Sequence, residues 1–391
     1  MILQAADAIG YSTVRPTGRL VAGLMALFGS VCVDAVTIRV PADQPTIQSA
    51  IAAASSGDTV LVAAGTYFEH IDYLGKALAV QSESGSATTT IDGAPGGAVV
   101  TMAGASPDAV LNGASLRGFT IRHGSNSFGS GISLFLANPR IYENVIANND
   151  QFGFGTAIYG FIASPVIDHN VFYGNTCDNQ SLSGVISFVN GSSPAIHDNL
   201  FRDNDCRAIN MTLPQGAAPY VFNNTIVRNR VGIYVDHGVP TAEHVYRNNI
   251  IALNGTGVEI AFGMTPLDAI WKNNLVHGNT TDFTGTPDPA GSNGNLNLDP
   301  MFVNVAAADF QLSKESPAID GADGAGLGLS ATDLAGSARI QDGDGNGVPV
   351  LDIGTFEAPA LSLSVPTSGV GVLAVITALL LLSGARALRR S

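Results

Sequence analysis

From residue 116 to residue 279 one pattern of apolar and polar positions recurs along the chain. The copies are Ile141–Asn149, Ile167–Asn175, Ile196–Asn204, Val221–Asn229, Tyr246–Asn254 and Trp271–Asn279, with a degenerate earlier copy at Leu116–Gly124. In each full copy an Asn sits three residues after one apolar position and two before another. These are Asn144, Asn170, Asn199, Asn224, Asn249 and Asn274, spaced by 26, 29, 25, 25 and 25 residues. A period of this size marks a solenoid, in which each unit buries its apolar side against the next.

The units hold short β-branched runs and no amphipathic stretch long enough for a helix. Asn tolerates the left-handed backbone and bonds nearby peptide groups. Stacked on its copies, it predicts a ladder of amides inside one turn, with the flanking apolar residues pointing inward. The expected fold is all-β, a single-stranded parallel β-helix whose coils rise about 4.8 Å each. Six to eight coils give a rod of roughly 30–40 Å on that rise. The pattern resembles the pectin-lyase-like repeat, which implies a right-handed helix. Ahead of the coils, Asp43–Ala54 reads as a short capping helix with Ile47, Ala50, Ile51 and Ala54 on one face. The run from Thr46 to Tyr67 resembles the entry segment of the same family.

Both ends depart from this pattern. Arg15 and Arg19 precede an apolar run from Leu20 to Val33, which predicts a signal peptide over 1–35, with an uncleaved anchor as the alternative. At the other end Gly369–Ala385 is uncharged and mostly aliphatic, and Arg386, Arg389 and Arg390 follow. That predicts a C-terminal transmembrane helix with its basic end in the cytoplasm. Val365-Pro366-Thr367, the apolar run and the arginines together resemble PEP-CTERM-like sorting tails, which implies a sorting protease as a partner. Leu298–Val303, Asp309–Leu312, Ser316–Gly321 and Asp352–Glu357 resemble the C-terminal segment of choice-of-anchor Q surface proteins. The expected domains are the signal at 1–35, a cap with the first coils at 36–97 and β-helix repeats at 98–297. A C-terminal cap at 298–360 and a sorting tail at 361–391 complete them. The resemblances imply an exported protein held at the membrane or cell surface of a Gram-negative bacterium.

Charge narrows the partners. Lys and Arg number 18 against 32 Asp and Glu, a net charge of −14. Nucleic acid is excluded on that balance, because phosphate contacts need a basic face. Polyanionic substrates are disfavoured unless a cation bridges them.

Candidate chemistry is sparse. Asp342, Asp344 and Asn346 alternate with Gly as in the first half of a calcium loop, and Asp352 lies near the closing position. A Ca2+ bound there would fix the cap. Cys177 and Cys206 each fall seven residues after the Asn of their coil, so they stack in adjacent coils and predict a disulfide. One outward column is expected to run Ser133, Tyr159, Ser187, Asn210, Tyr234, Glu259, with Asp236 and His237 beside it. Rings stack on sugars and amides bond hydroxyls, so Tyr159, Asn210, Tyr234, Asp236 and Glu259 suit a polysaccharide; an ordinary polar face is the plainer alternative. Asp236 and Glu259 are the candidate acid and base of a glycosidase-like pair. Asp168, His169, His197 and Asp198 form a second mixed patch, fit either for a metal or for bonding nearby backbone. The polygalacturonase set of acids and the acidic metal cluster of lyases are both missing. The expected function is a surface-anchored β-helix that binds or presents to glycans. The alternatives are a polysaccharide lyase or glycoside hydrolase on the outward face, and a structural or adhesive fibre.

Overall fold

The computed structural model describes residues 34–361, except 95, 152, 179–182, 214–217, 238–244 and 262–270. Nearly all of the expected signal segment, and the whole expected transmembrane helix, lie outside these residues. Among the described residues no helix is long and apolar enough to cross a membrane.

Three parallel sheets of ten, nine and nine strands make the body. The chain visits them in turn, as in Ala137–Tyr142, Val145–Ala147 and Ile158–Phe161, here called the first, second and third sheets. Each strand pairs in parallel with its counterpart one coil away. Inward side chains stack in columns. Ile141, Ile167, Ile196, Val221, Tyr246 and Trp271 form one, and Ile146, Phe172, Phe201, Ile226, Ile251 and Val276 another; all are buried. β-Branched residues suit these positions because their stiff side chains pack on a pleated surface.

The corner between the first and second sheets is a two-residue turn. Its first residue is left-handed at Glu143, His169, Asp198, Asn223, Asn248 and Asn273, with φ of 50–57°. Its second is the ladder Asn. From Asn170 onward each ladder Oδ1 accepts from the backbone N–H and the side-chain NH2 of the Asn one coil earlier, while Asn144 Oδ1 accepts from Phe119 N. For Asn199 the donors are Asn170 N at 2.9 Å and Asn170 Nδ2 at 3.1 Å. Its own Nδ2 donates to Ile167 O and His197 O, both at 2.8 Å. The buried polar atoms are thereby satisfied, which is what permits a polar column inside the turn. A second ladder, Asn149, Asn175, Asn204, Asn229, Asn254 and Asn279, lines the corner after the second sheet. It occupies the last position of each repeat copy, where the same residue type was already visible.

The helix near the start spans Ile47–Ala53. Thr46 caps it, accepting from Ser49 N, so the turn at Asp43–Pro45 stays outside. Glu69 accepts from Ile47 N and Gln48 N at 3.0 and 2.9 Å, and Lys76 donates to the carbonyls of Ile51, Ala52 and Ala54. Opposite charges thus meet the two ends of the helix dipole. Ile47, Ala50, Ile51 and Ala54 are buried in the main core.

Segment 298–361 departs from the expected end cap. Residues 289–297 already extend the ladder, with Asn274 N donating to Asn295 Oδ1 at 3.0 Å. The later segment turns back along the side of the rod as a saddle over the first corner. Phe310, Leu312, Ala318 and Ile353 form a second core with Leu200, Val227, Ile250, Ala252 and Leu275 on the outer face of the second sheet. The physical reason is that several outward positions of this sheet are apolar and need cover. Polar clamps line the corner: His169 Nε2 lies 2.9 Å from Thr332 O, Asn248 Nδ2 donates to Asp323 O, and Asn273 Nδ2 to Gly321 O.

Candidate functional site

The third sheet carries the predicted column in register. Ser133 pairs with Tyr159, then Ser187, Asn210, Tyr234 and Glu259 follow coil by coil. Its accessibility corrects the expectation. Tyr159 is 7% exposed, Tyr234 8%, and Ser187 and Asn210 are fully buried. Tyr159 is walled by Phe128 and Phe154, with ring centroids at 5.4 and 6.0 Å. The Arg207 guanidinium lies 3.6 Å from the Tyr234 ring centroid. Asn210 Nδ2 donates to Ser187 Oγ at 2.8 Å. Burial raises the phenol pKa of both Tyr159 and Tyr234, and Asp236 beside Tyr234 adds to it.

The open track runs two residues further along each strand. It passes through Phe135, Phe161, Val189, Thr212 and Asp236. Phe135 and Phe161 stack at 4.6 Å with planes 4° apart, and Phe135 is 48% exposed. Phe128 and Phe154, in the turns leading into the same strands, stack at 5.4 Å. None of these four phenylalanines was singled out from the sequence, because each falls outside the Asn-centred copies.

The carboxylates at the far end are engaged. Glu259 pairs with Arg207 at 3.3 Å, and Tyr234 Oη donates to Asp236 Oδ2 at 3.4 Å. Asp236 and Glu259 lie on a diagonal one coil apart, as Asp236 follows Val235, which pairs with Ile260. The side chain of His237 lies outside the described residues.

The mixed patch is a set of ion pairs under the saddle edge. Arg140 makes a fork to Asp168 at 2.9 and 2.8 Å, and His169 Nδ1 lies 3.0 Å from Asp168. Burial works against the Asp168 charge, but Arg140 and His169 overcome it and lower the pKa. The pKa of His169 is instead raised, burial being outweighed by Asp168 and Thr332 O. His197 Nδ1 lies 2.9 Å from Asp198 and its ring stacks on Phe222. Asp198 is also bound by Arg339, whose charge, with the His197 hydrogen bond, holds it at about 2 against its burial. A groove of about 370 Å³ opens beside this patch, between Thr332–Gly336 and the turns at Gly118, Glu143 and His169. Its charged groups are already partnered, His169 as described and Glu143 by Arg117 at 2.8 Å.

Asp342 and Asp344 meet at the base of the saddle, joined by Asp320 from 22 residues earlier. One carboxylate oxygen from each lies within 4.8 Å of the others. Asp320 Oδ1 and Asp342 Oδ1 are shut off from solvent without a hydrogen-bond partner. Burial and the charge of Asp344 raise the Asp320 pKa, while the Asn346 N–H lowers that of Asp344. Two expected ligands stand apart. Asn346 turns its NH2 to Asp344 Oδ2 at 2.7 Å. Asp352 is buried elsewhere, accepting from Asp320 N and Ala358 N at 2.7 and 2.6 Å. Asp320 was missed because it lies outside the Asp-Gly run.

Cys177 and Cys206 form a disulfide with Cα atoms 5.5 Å apart. Cys177 ends a two-residue strand paired with Asp150–Gln151 of the preceding coil, and Thr176 beside it bridges to Asp205, next to Cys206.

The family described as right handed beta helix region matches residues 109–244, about a third of the chain. The chain is a right-handed parallel β-helix. Pectate lyase Pel9A is similar in structure, with TM-score 0.45 and 12% identity over 80% of this chain and 90% of that one. The pectin methylesterase from Aspergillus niger is similar with TM-score 0.37 and 15% identity over 69% and 92%. No curated protein matches the sequence.

Proposed function

We propose that this β-helix binds a glycan on the outer face of its third sheet and is a binding module, not a depolymerase. The observation that carries the reading is the stack of Phe135 on Phe161, in which Phe135 is 48% exposed and Phe161 is partly covered. Exposed rings in register along a rod suit a chain of sugar rings. The candidate acid and base, Asp236 and Glu259, are held by Tyr234 and Arg207, an arrangement that favours binding over acid–base chemistry. Incubating the full chain with polysaccharides and following both retention and product release tests this. Retention without cleavage supports the module. Release of unsaturated or reducing sugars supports the lyase or hydrolase. Neither leaves the structural or adhesive fibre.

The rest of the reading concerns placement. The helix at Ile47–Ala53 closes the start of the core, and the signal and tail segments carry the protein out of the cytoplasm and hold it at the membrane, where a sorting protease acts on the tail. Asp320, Asp342 and Asp344 hold a Ca2+ ion, whose hard oxygen preference suits three carboxylates with two otherwise orphaned oxygens. The ion steadies the saddle and takes no part in sugar recognition.

A further inference from the structure

The geometry points to a neutral glycan as the occupant of the third sheet, with one pyranose ring stacked on Phe135 above Ala103. This rests on the glycan reading above and names the chemistry of the chain it takes.

Register and ring geometry locate the place. Phe135 stacks on Phe161 of the next coil, so its opposite face turns to the preceding coil. The register partner there is Ala103, which is too small to cover a ring. The column of rings therefore ends on an open face, consistent with the 48% exposure of Phe135. A pyranose ring is close to a phenyl ring in size. Its axial C–H groups carry slight positive charge and meet the negative face of an aromatic ring. Placed over Ala103, a sugar continues the stack by one member.

Charge selects among sugars. Among the described residues, Arg207 is the one Lys or Arg on the nine strands of this sheet, against Asp72, Asp236, Glu259 and Asp282. Arg207 is itself paired with Glu259 and laid over Tyr234. A uronate chain thus meets surplus negative charge and no cation placed to receive it, on a protein of net charge −14. The acidic cluster that suits calcium belongs to the saddle, not to this sheet, so it offers no cation bridge here. An uncharged chain escapes both penalties.

The test titrates the full chain with cellohexaose, chitohexaose and hexagalacturonate by calorimetry, at low and high salt, with calcium and with chelator. A neutral hexasaccharide is expected to bind with little salt dependence, since no charge on the ligand is screened. Phe135→Ala should weaken it tenfold or more. Ala103→Phe, which fills the place of the sugar and leaves Phe135 intact, should do the same, and thermal unfolding of both variants should match the parent. Tighter binding of hexagalacturonate, with or without calcium, overturns the neutral assignment while the glycan reading stands. Neutral binding that neither variant disturbs overturns the Phe135 site. No binding of any of the three overturns this inference, and retention of a larger polysaccharide then decides separately whether the glycan reading survives.

Discussion

Arg339 of the saddle and Asp198 of the first corner, 141 residues apart, form an ion pair with almost no solvent contact. Ser330 Oγ donates to the other oxygen of Asp198, and Glu357 accepts from Arg339 at 2.9 Å. Asp198 precedes ladder Asn199 and is itself left-handed, so the clamp ties the saddle directly to the turn column. Breaking one partner of a buried pair leaves the other charge uncompensated. Arg339→Met should therefore cost about 3–5 kcal/mol. Arg339→Met with Asp198→Asn should recover much of it. Hydrogen exchange should show the amides of 302–358 losing protection in the single variant while ladder amides keep theirs. Unchanged protection would mean the saddle is held by its apolar contacts alone.

Stability should fall as pH rises above the acid range. Burial pushes Glu357 up to about 9 from 4.5, against the pull of Arg339, and Asp352 up to about 6 from 3.8. Between 4.5 and 9 the folded chain keeps a proton on Glu357 that the unfolded chain has released. More protons bound in the folded state means stability lost with rising pH. Asp198 has the opposite sign: its contribution is complete above 3.8 and disappears as pH falls toward 2. The optimum should lie at about pH 4–5 by this linkage. Glu357→Gln should flatten the decline above pH 6. Thermal unfolding of parent and variant across the range checks this, and two parallel curves would show that Glu357 titrates normally.

Calcium should raise the melting temperature of the full chain. An ion present at a hundred times its dissociation constant contributes about 2.7 kcal/mol. Asp342→Asn and Asp320→Asn should each remove most of that gain. Asp352→Asn should leave calcium affinity unchanged, since both Asp352 oxygens already accept from backbone N–H groups. An equal calcium shift in parent and Asp342→Asn would sink the site.

The ladder positions were legible because one residue type recurred at a nearly constant spacing, and a buried amide repeated at that interval can satisfy its bonds on its own copies. The saddle was not legible as a saddle. Leu200, Ile250 and Leu275 each follow a ladder Asn and are apolar at an outward position, a signal that something covers them. The covering residues, such as Phe310 and Ile353, lie far along the chain without a period to link them. The candidate site was legible only in register. Pairing along the third sheet follows from the repeat, but exposure depends on what lies across it. Arg207 folded over Tyr234 and Phe128 set against Tyr159 are contacts that spacing does not encode.

The ladder offers the sharpest test of what holds the rod. Asn199→Ala removes the acceptor of Asn170 N and Asn170 Nδ2, the donor to Ile167 O and His197 O, and the donor to Asn224 Oδ1. Each orphaned buried group costs about 1–3 kcal/mol, less whatever water or relaxation restores. The variant should lose about 2–5 kcal/mol on that basis. Asn199→Asp keeps the acceptor but sets a carboxylate against two carbonyls, so it should fare no better near neutral pH and recover in acid as the group protonates. Asn274→Ala should cost less, because only Asn295 lies beyond it and end coils share fewer neighbours. Denaturant unfolding of the three variants decides between the accounts. If Asn199→Ala and Asn274→Ala lose equally little, the apolar columns carry the rod and the amides merely fill the corner.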